Sequence, residues 1–415
     1  MILWSATEST DHTFFFISLP CPNLAGNEKP FMDKERICLN ALGTIFCYET
    51  AGALNLIQAC GSAAQVFATP ANDLREMAGP AGMKYVEQIG PAALEASEEL
   101  LEKMEGTAVR YITIEDDVYP ALLRECPDPP LGLYVKSSDT SGNIFTDRPF
   151  ISVVGTRDAS SYGREWCSKI VSAMAGCPRR PVIVSGLAMG VDITAHLAAL
   201  ENGLPTIAVM ATGIDEVYPF RHGRYADAIC SAPGSALLSD YPPHTSPTAI
   251  HFLRRNRIIA GLCSATLLIE SRIRGGGMNT SKIAFGYDRD VYALPGRIDD
   301  IRSGGCNLLI RSKIAEPITD IEELMERLGL GRSGNLKKTD LEAVVRTAFA
   351  DSPQLETLLS LALLVKKRRS ITAEDISYET GLPYHQVLAL TALLETGGII
   401  ATDLLGNCTI DVHYC

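Results

Sequence analysis

The chain has 415 residues, 46% hydrophobic and 21% charged, a globular composition long enough for two or three domains. A net charge of −12 argues against a chain-wide nucleic-acid coat but leaves room for a local basic site. The twelve cysteines contain no CxxC pair, which argues against a zinc ribbon or a redox dithiol. The start "MILWSATESTDHTFFFISLP" lacks the basic region of a secretory signal, and no uncharged apolar run is long enough to span a bilayer. The expectation is a cytoplasmic protein with reduced thiols and no membrane partner.

Residues 1–31 show no period and read as an irregular extension. Residues 32–105 read as helices broken by Gly and Pro, a small helical N-terminal domain of the SAM or helix-hairpin-helix kind. The first 105 residues carry 6 Lys/Arg against 14 Asp/Glu and so repel phosphate. From 106 to 325 short apolar runs alternate with amphipathic stretches. The strands are expected at 151–155, 181–186, 206–212, 236–240, 265–271 and 290–296. Near-continuous apolar strands alternating with helices predict an α/β domain, a doubly wound Rossmann-like parallel sheet covered on both faces. Residues 326–352 read as a linker running into a short helix. In 353–415, three helical patterns and a strand pair predict a winged-helix-like domain. Its balance of 4 Lys/Arg to 7 Asp/Glu favours packing or protein contact over DNA reading.

Four motifs fall at the expected carboxyl ends of strands, where open α/β sheets bind ligands. In "VVGTRDASSYG", Gly155 allows close approach of a ligand and Arg157 offers a fork of donors suited to phosphate. The alternative is an ordinary loop with a surface arginine. In "SGLAMGVDITAH", a strand again ends in glycine, at Ser185 and Gly186. Asp192 and His196 then share a helix face, as a base and its orienter or as a buried pair that fixes the helix. "FLRRNRIIAGL" places Phe252 beside Arg254, Arg255, Asn256 and Arg257 at what reads as a helix start, where cations oppose the dipole unless an anion binds. In "ESRIRGGGMNTSKIAFG", Gly275, Gly276 and Gly277 precede a helix expected near Asn279 and Thr280, a candidate phosphate cradle. That stretch matches neither the GxxxxGK[ST] loop nor the dinucleotide fingerprint. Residues 251–311 carry ten Arg/Lys against five Asp/Glu, so basic charge is concentrated on the segments that would build the groove. No Ser-His-Asp grouping and no metal-ligand spacing appears, so the reading is a binding site with no catalytic residue, cofactor or metal.

Taken in order, "VVGTRDASSYG", "SGLAMGVDITAH", "GIDEVYP", "FLRRNRIIAGL" and "VYALPGRIDDIRSGGCNLLI" resemble the DNA-processing protein A family (DprA/Smf), strongly over about 110–320. The resemblance implies an extended Rossmann domain that binds single-stranded DNA, protects incoming DNA in natural transformation and loads the RecA recombinase. It places the DNA-pocket arginine on Arg157, the SG turn on Ser185 and Gly186, and the aromatic-plus-RNR segment on Phe252, Arg255, Asn256 and Arg257. The family's Ser-Gly-Ser is here Gly275–Gly277, which removes hydroxyl contacts and leaves backbone N–H groups. A homodimer through the Rossmann domain is expected, partly from the resemblance and partly because joined weak sites gain avidity. The alternative is a nucleotide-processing enzyme like the phosphoribohydrolases, whose catalytic Glu falls on Ile283 here.

Overall fold

The computed structural model describes residues 33–47, 49–139, 143–145, 148–331, 341–350, 352–368, 370–403 and 406–410. The expected extension over 1–31 therefore lies outside the described residues, as does 332–340 of the expected linker. The described chain opens with helices α1 (Lys34–Ile45), α2 (Thr50–Cys60), α3 (Ala63–Ala68), α4 (Ala71–Val86) and α5 (Pro91–Met104). They bury a core of their own around Leu39, Leu42, Phe46 and Leu56. Arg36 on α1 grips Asp116 through both terminal nitrogens, at 3.1 and 2.8 Å.

The central region runs β1 (Val109–Thr113), α6 (Ala121–Arg124), β2 (Gly132–Lys136), β3 (Phe150–Val154), α7 (Ser161–Ala175), β4 (Val182–Ser185), α8 (Val191–Glu201) and β5 (Thr206–Val209). It continues with α9 (Gly223–Ser231), β6 (Ala236–Ser239), α10 (Ala249–Leu262), β7 (Ala265–Leu268), α11 (Gly276–Gly286), β8 (Asp290–Ala293), α12 (Gly304–Arg311), β9 (Glu316–Pro317) and α13 (Ile321–Arg327). These strands form one sheet in the order β1-β2-β6-β5-β4-β3-β7-β8-β9. The pairs from β6 through to β9 are parallel, while β1–β2 and β2–β6 are antiparallel. The run β5-β4-β3-β7-β8-β9 is the order of a doubly wound nucleotide-binding sheet, with its reversal between β3 and β7. All six expected strands form, each stopping before the expected end because the chain peels away at the sheet's carboxyl edge. Strands β1, β2 and β9 are additions to the expected six: β1 and β9 lie at the two edges of the sheet, and β2 is a short buried strand between β1 and β6.

Alternate residues of β3 supply the two faces. Phe150 and Val154 pack in the core under α10 and α11, while Ile151 and Val153 pack in the core under α7 and α8. Each such side chain contributes about 1.5–3 kcal/mol by leaving water. Buried Ser152 hydrogen-bonds sideways to Thr266 Oγ1 at 2.7 Å.

The described C-terminal residues give α14 (Leu341–Ala348), α15 (Leu355–Arg368), β10 (Ile371–Thr372), α16 (Ala373–Thr380), α17 (Tyr384–Thr396), β11 (Ile400–Thr402) and β12 (Asn407–Ile410). A three-stranded sheet in the order β10-β12-β11 closes over a separate apolar cluster. Thr372 caps α16 by accepting from Asp375 N–H, and α15 ends in Lys366, Lys367 and Arg368, as suits its dipole. Of the apolar face expected on α17, Val387, Leu390 and Leu394 are buried, but Leu388 and Leu393 are exposed.

His196, fully buried on α8, has its Nδ1 2.7 Å from Thr206 Oγ1. Burial, aided by the charge of Arg255, holds its pKa down to about 3. A depressed imidazole stabilises the fold fully above its free value near 6.5, and that contribution is lost as pH falls toward the folded value. We expect each pH unit below about 6.5 to cost about 1.4 kcal/mol through this group. Denaturant midpoints measured across that range should fall in the native protein and fall less steeply in His196→Gln.

Candidate nucleic-acid interface

At the reversal between β3 and β7, the start of one helix is already filled by a carboxylate. Glu270, just beyond β7, is 1% exposed and lies against the start of α7. Its carboxylate accepts from Ser160 N–H at 2.9 Å and from the Ser160 hydroxyl. A carboxylate thus already fills the N-terminus of α7. At α8, Asp192 occupies the first turn and accepts from Gly186 N–H at 3.2 Å. Helix α11 has no acid in its first turn, and Gly276 at its start faces open space. The first N–H groups of a helix lack partners within it, so, unlike the starts of α7 and α8, this end is free to receive an anion.

That end forms one wall of a cavity of about 720 Å³. The other walls are the loop after β3, with Gly155, Thr156 and Arg157, and one face of α10. Phe252, Arg255, Asn256 and Ile259 reach the cavity from α10 because positions i, i+3, i+4 and i+7 share a helix face. The Arg157 guanidinium lies 4.9 Å from the centre of the Phe252 ring. Arg157 is exposed and makes no hydrogen bond or ion pair among the described residues, so its donors face the cavity unspent. Arg274 is in the same condition, and Arg272 makes only a loose pair with Asp158 at 3.7 Å. Thr280, 2% exposed, lines the cavity with a hydroxyl that has no partner among the described residues. The amide nitrogen of buried Asn256 likewise has none. Tyr218 closes one side, edge-on to Phe252 with ring centres 5.4 Å apart.

Nine of the thirteen residues singled out in the sequence meet here: Gly155, Arg157, Phe252, Arg255, Asn256, Gly275, Gly276, Gly277 and Thr280. Their roles differ from the expectation in places. A Cβ on Gly155 would fall 2.5 Å from Val191 Cγ2, so this glycine serves packing. Gly277 is pressed against Leu268 and Gly155, whereas Gly276 faces open space and is the cradle's accessible member. Arg255 is buried and donates to Gly186 O at 2.9 Å and to Val209 O. Burial lowers its pKa to about 10, so it stays charged at neutral pH and adds positive potential from beneath the cavity.

The other four lie elsewhere. Ser185 is buried and donates to Val153 O at 2.7 Å. Gly186 is glycine because the Arg255 guanidinium covers it, at 2.5 Å from where a Cβ would stand. Asn279 donates to Leu253 O at 3.3 Å, joining α11 to α10. Arg257 is a buried structural cation, paired with Asp240 at 2.7 Å and donating to Asp128 O at 2.6 Å. The sequence places the arginines at a helix start, but α10 begins at Ala249 behind its cap Thr248, so they stand in the helix interior. At about 100° per residue they diverge. Burial raises the pKa of the Cys47 thiol, and the charge of Arg254 partly offsets that rise. Asp192 and His196 are both buried but do not bond to each other, since His196 turns to Thr206. Thr156, Tyr218, Arg272 and Arg274 also line the cavity; the sequence marks Thr156 as a hydroxyl in its motif and the two arginines as part of the basic charge over 251–311. The arginines stand just before the glycines, and Tyr218 lies in the "GIDEVYP" motif, so each had a local signal in the sequence.

The site holds a planar aromatic face, unspent guanidinium donors and an open helix start, which suits a phosphate joined to a flat ring. Asp192 is the one carboxylate among the described lining residues. No group of three or more His, Cys, Asp or Glu is placed to hold a metal among the described residues.

Arg257→Ala would leave Asp240 buried and unpaired, a change of about 3–5 kcal/mol. Denaturant unfolding should show that loss, while the refolded protein keeps the salt dependence of any ligand bound in the cavity.

A family model described as DNA recombination-mediator protein A matches residues 110–329. The chain is 42% identical over 200 residues to DNA processing protein DprA of Streptococcus pneumoniae, across 48% of this chain and 67% of that one. It is 32% identical over 331 residues to protein Smf of Synechocystis sp., across 74% of this chain and 80% of that one. The X-ray structure of DNA processing protein A from S. pneumoniae superposes with a TM-score of 0.60 at 30% identity, covering 70% of this chain and 97% of that one. On these matches the chain belongs to the DNA recombination-mediator protein A family.

Proposed function

We propose that the cavity binds single-stranded DNA, with a phosphate at the start of α11 and a base beside Phe252. The observation that carries this is the Arg157 guanidinium, held 4.9 Å over Phe252 with no ion pair among the described residues and lining the same cavity as the start of α11. A ring and a cation presented together recognise a base and its phosphate without regard to sequence. Family membership supports a place in recombination. On this reading the protein protects incoming strands during natural transformation and passes them to a RecA-type recombinase, acting as a homodimer in the cytoplasm. It acts as a mediator rather than an enzyme. The position of the catalytic Glu in the phosphoribohydrolases holds Ile283, packed against the core. The N-terminal helices read as a SAM or helix-hairpin-helix domain and the C-terminal unit as winged-helix-like.

Single strands should bind more tightly than duplex, with affinity falling steeply in salt. A gel-shift series on both forms measures this, and equal affinities or a flat salt response would refute it. Arg157→Ala should weaken single-strand binding by about 1–3 kcal/mol and reduce the log–log salt slope by about 0.7. Its melting temperature should match that of the native chain, since the side chain is exposed. Helix α17 has no Lys or Arg to offer phosphates. Deleting 353–415 should therefore leave single-strand affinity within about threefold, roughly 0.65 kcal/mol, and a tenfold loss with the assembly state unchanged would show that this unit holds DNA.

A further inference from the structure

Beside the cavity lies a ledge that the site so far does not use. The stretch "YPFRHGRY", residues 218–225, alternates aromatic and basic side chains. Tyr218 is 45% exposed, lines the cavity and meets Phe252 edge-on. Two residues on, Phe220 opens a short 3-10 turn with 93% of its surface in water. Arg221 beside it is exposed and makes no hydrogen bond or ion pair among the described residues. Arg224, also exposed, lies 4.5 Å over the Tyr225 ring. The turn is anchored from below, where His222 is buried with Nδ1 2.8 Å from Leu187 O.

A single exposed phenylalanine is ordinary on a protein surface. This one sits on an anchored turn, follows Tyr218 of the cavity wall by two residues, and is followed by the exposed Arg221. Its occupant must offer a flat apolar face and negative charge together, which is the chemistry of a nucleotide. We infer that this ledge is a second stacking station for single-stranded DNA, where Phe220 takes the base next to the one in the cavity and Arg221 holds the intervening phosphate. This rests on the reading of the cavity as a single-strand site and sets the strand's course on leaving it, over Tyr218 toward α9.

The test compares fluorescein-labelled oligothymidylate with an abasic oligomer of equal length, by anisotropy on the full chain. Phe220→Ala should weaken oligothymidylate binding at least about fivefold, the loss for one stacked base. On the abasic strand it should change affinity less than about twofold, since the backbone remains and the stacking partner is gone. Phe220→Trp should restore binding to oligothymidylate. Arg221→Ala should weaken both strands and reduce the salt slope by about 0.7. The exposed ring makes no core contact, so melting temperatures should stay level. Native-like binding of both strands by Phe220→Ala refutes the ledge, and so does an equal loss on both. Arg157→Ala, run beside it, separates the two ideas. If it weakens binding while Phe220→Ala does not, the ledge alone is refuted; if it has no effect, the cavity reading falls.

Discussion

The contact between the Glu270 carboxylate and the start of α7 sets the geometry of this protein's candidate site. It lies where strand order reverses, so the loops after β3 and β7 must meet around it. Thr156 N–H donates to Glu270 O at 2.7 Å, tying the loop that carries Arg157 to the end of β7. A Cβ on Gly163 would come within 2.4 Å of the carboxylate, so α7 approaches this closely only because glycine stands there. The contact buries a carboxylate that the N–H and hydroxyl of Ser160 satisfy at the start of α7, while the start of α11 stays open to an external anion.

From this follows a division of labour among the cations. Arg255 and Arg257 are both buried, and their donors go to protein acceptors. They hold the ends of β4 and β5, and the end of β6 through Asp240, in place around α10. Arg157, Arg272 and Arg274 stand in the loops, exposed to solvent. A guanidinium already bonded to backbone carbonyls gains little from meeting a phosphate, whereas an unspent one gains a charge-assisted bond. The buried pair therefore shapes the cavity and leaves the loop arginines as the cations with donors available to a ligand.

An acidic chain accommodates such a site by separating its charges in space. The surplus carboxylates lie largely on the N-terminal helices and the C-terminal unit, while the lips of the cavity carry arginine. Potential at the site depends on charges within about a Debye length, so the net charge of the whole says little about what the cavity attracts.

The sequence by itself determined the sheet's inner strands, the helices between them and the segments that meet at the site. Those signals are local: apolar runs of strand length, glycines at strand ends, and basic charge concentrated between 251 and 311. Arg157, Phe252 and the three glycines were legible for that reason. Only the tertiary structure decided which arginines reach the cavity. The "RRNR" stretch reads as one basic cluster along the chain, but in α10 successive residues turn by about 100°, sending Arg257 to Asp240 and leaving Arg255 beneath the cavity. It also brought Tyr218 to Phe252 across 34 residues of chain, a meeting set by the packing of the loop after β5 against α10 and not by either residue's neighbours in sequence.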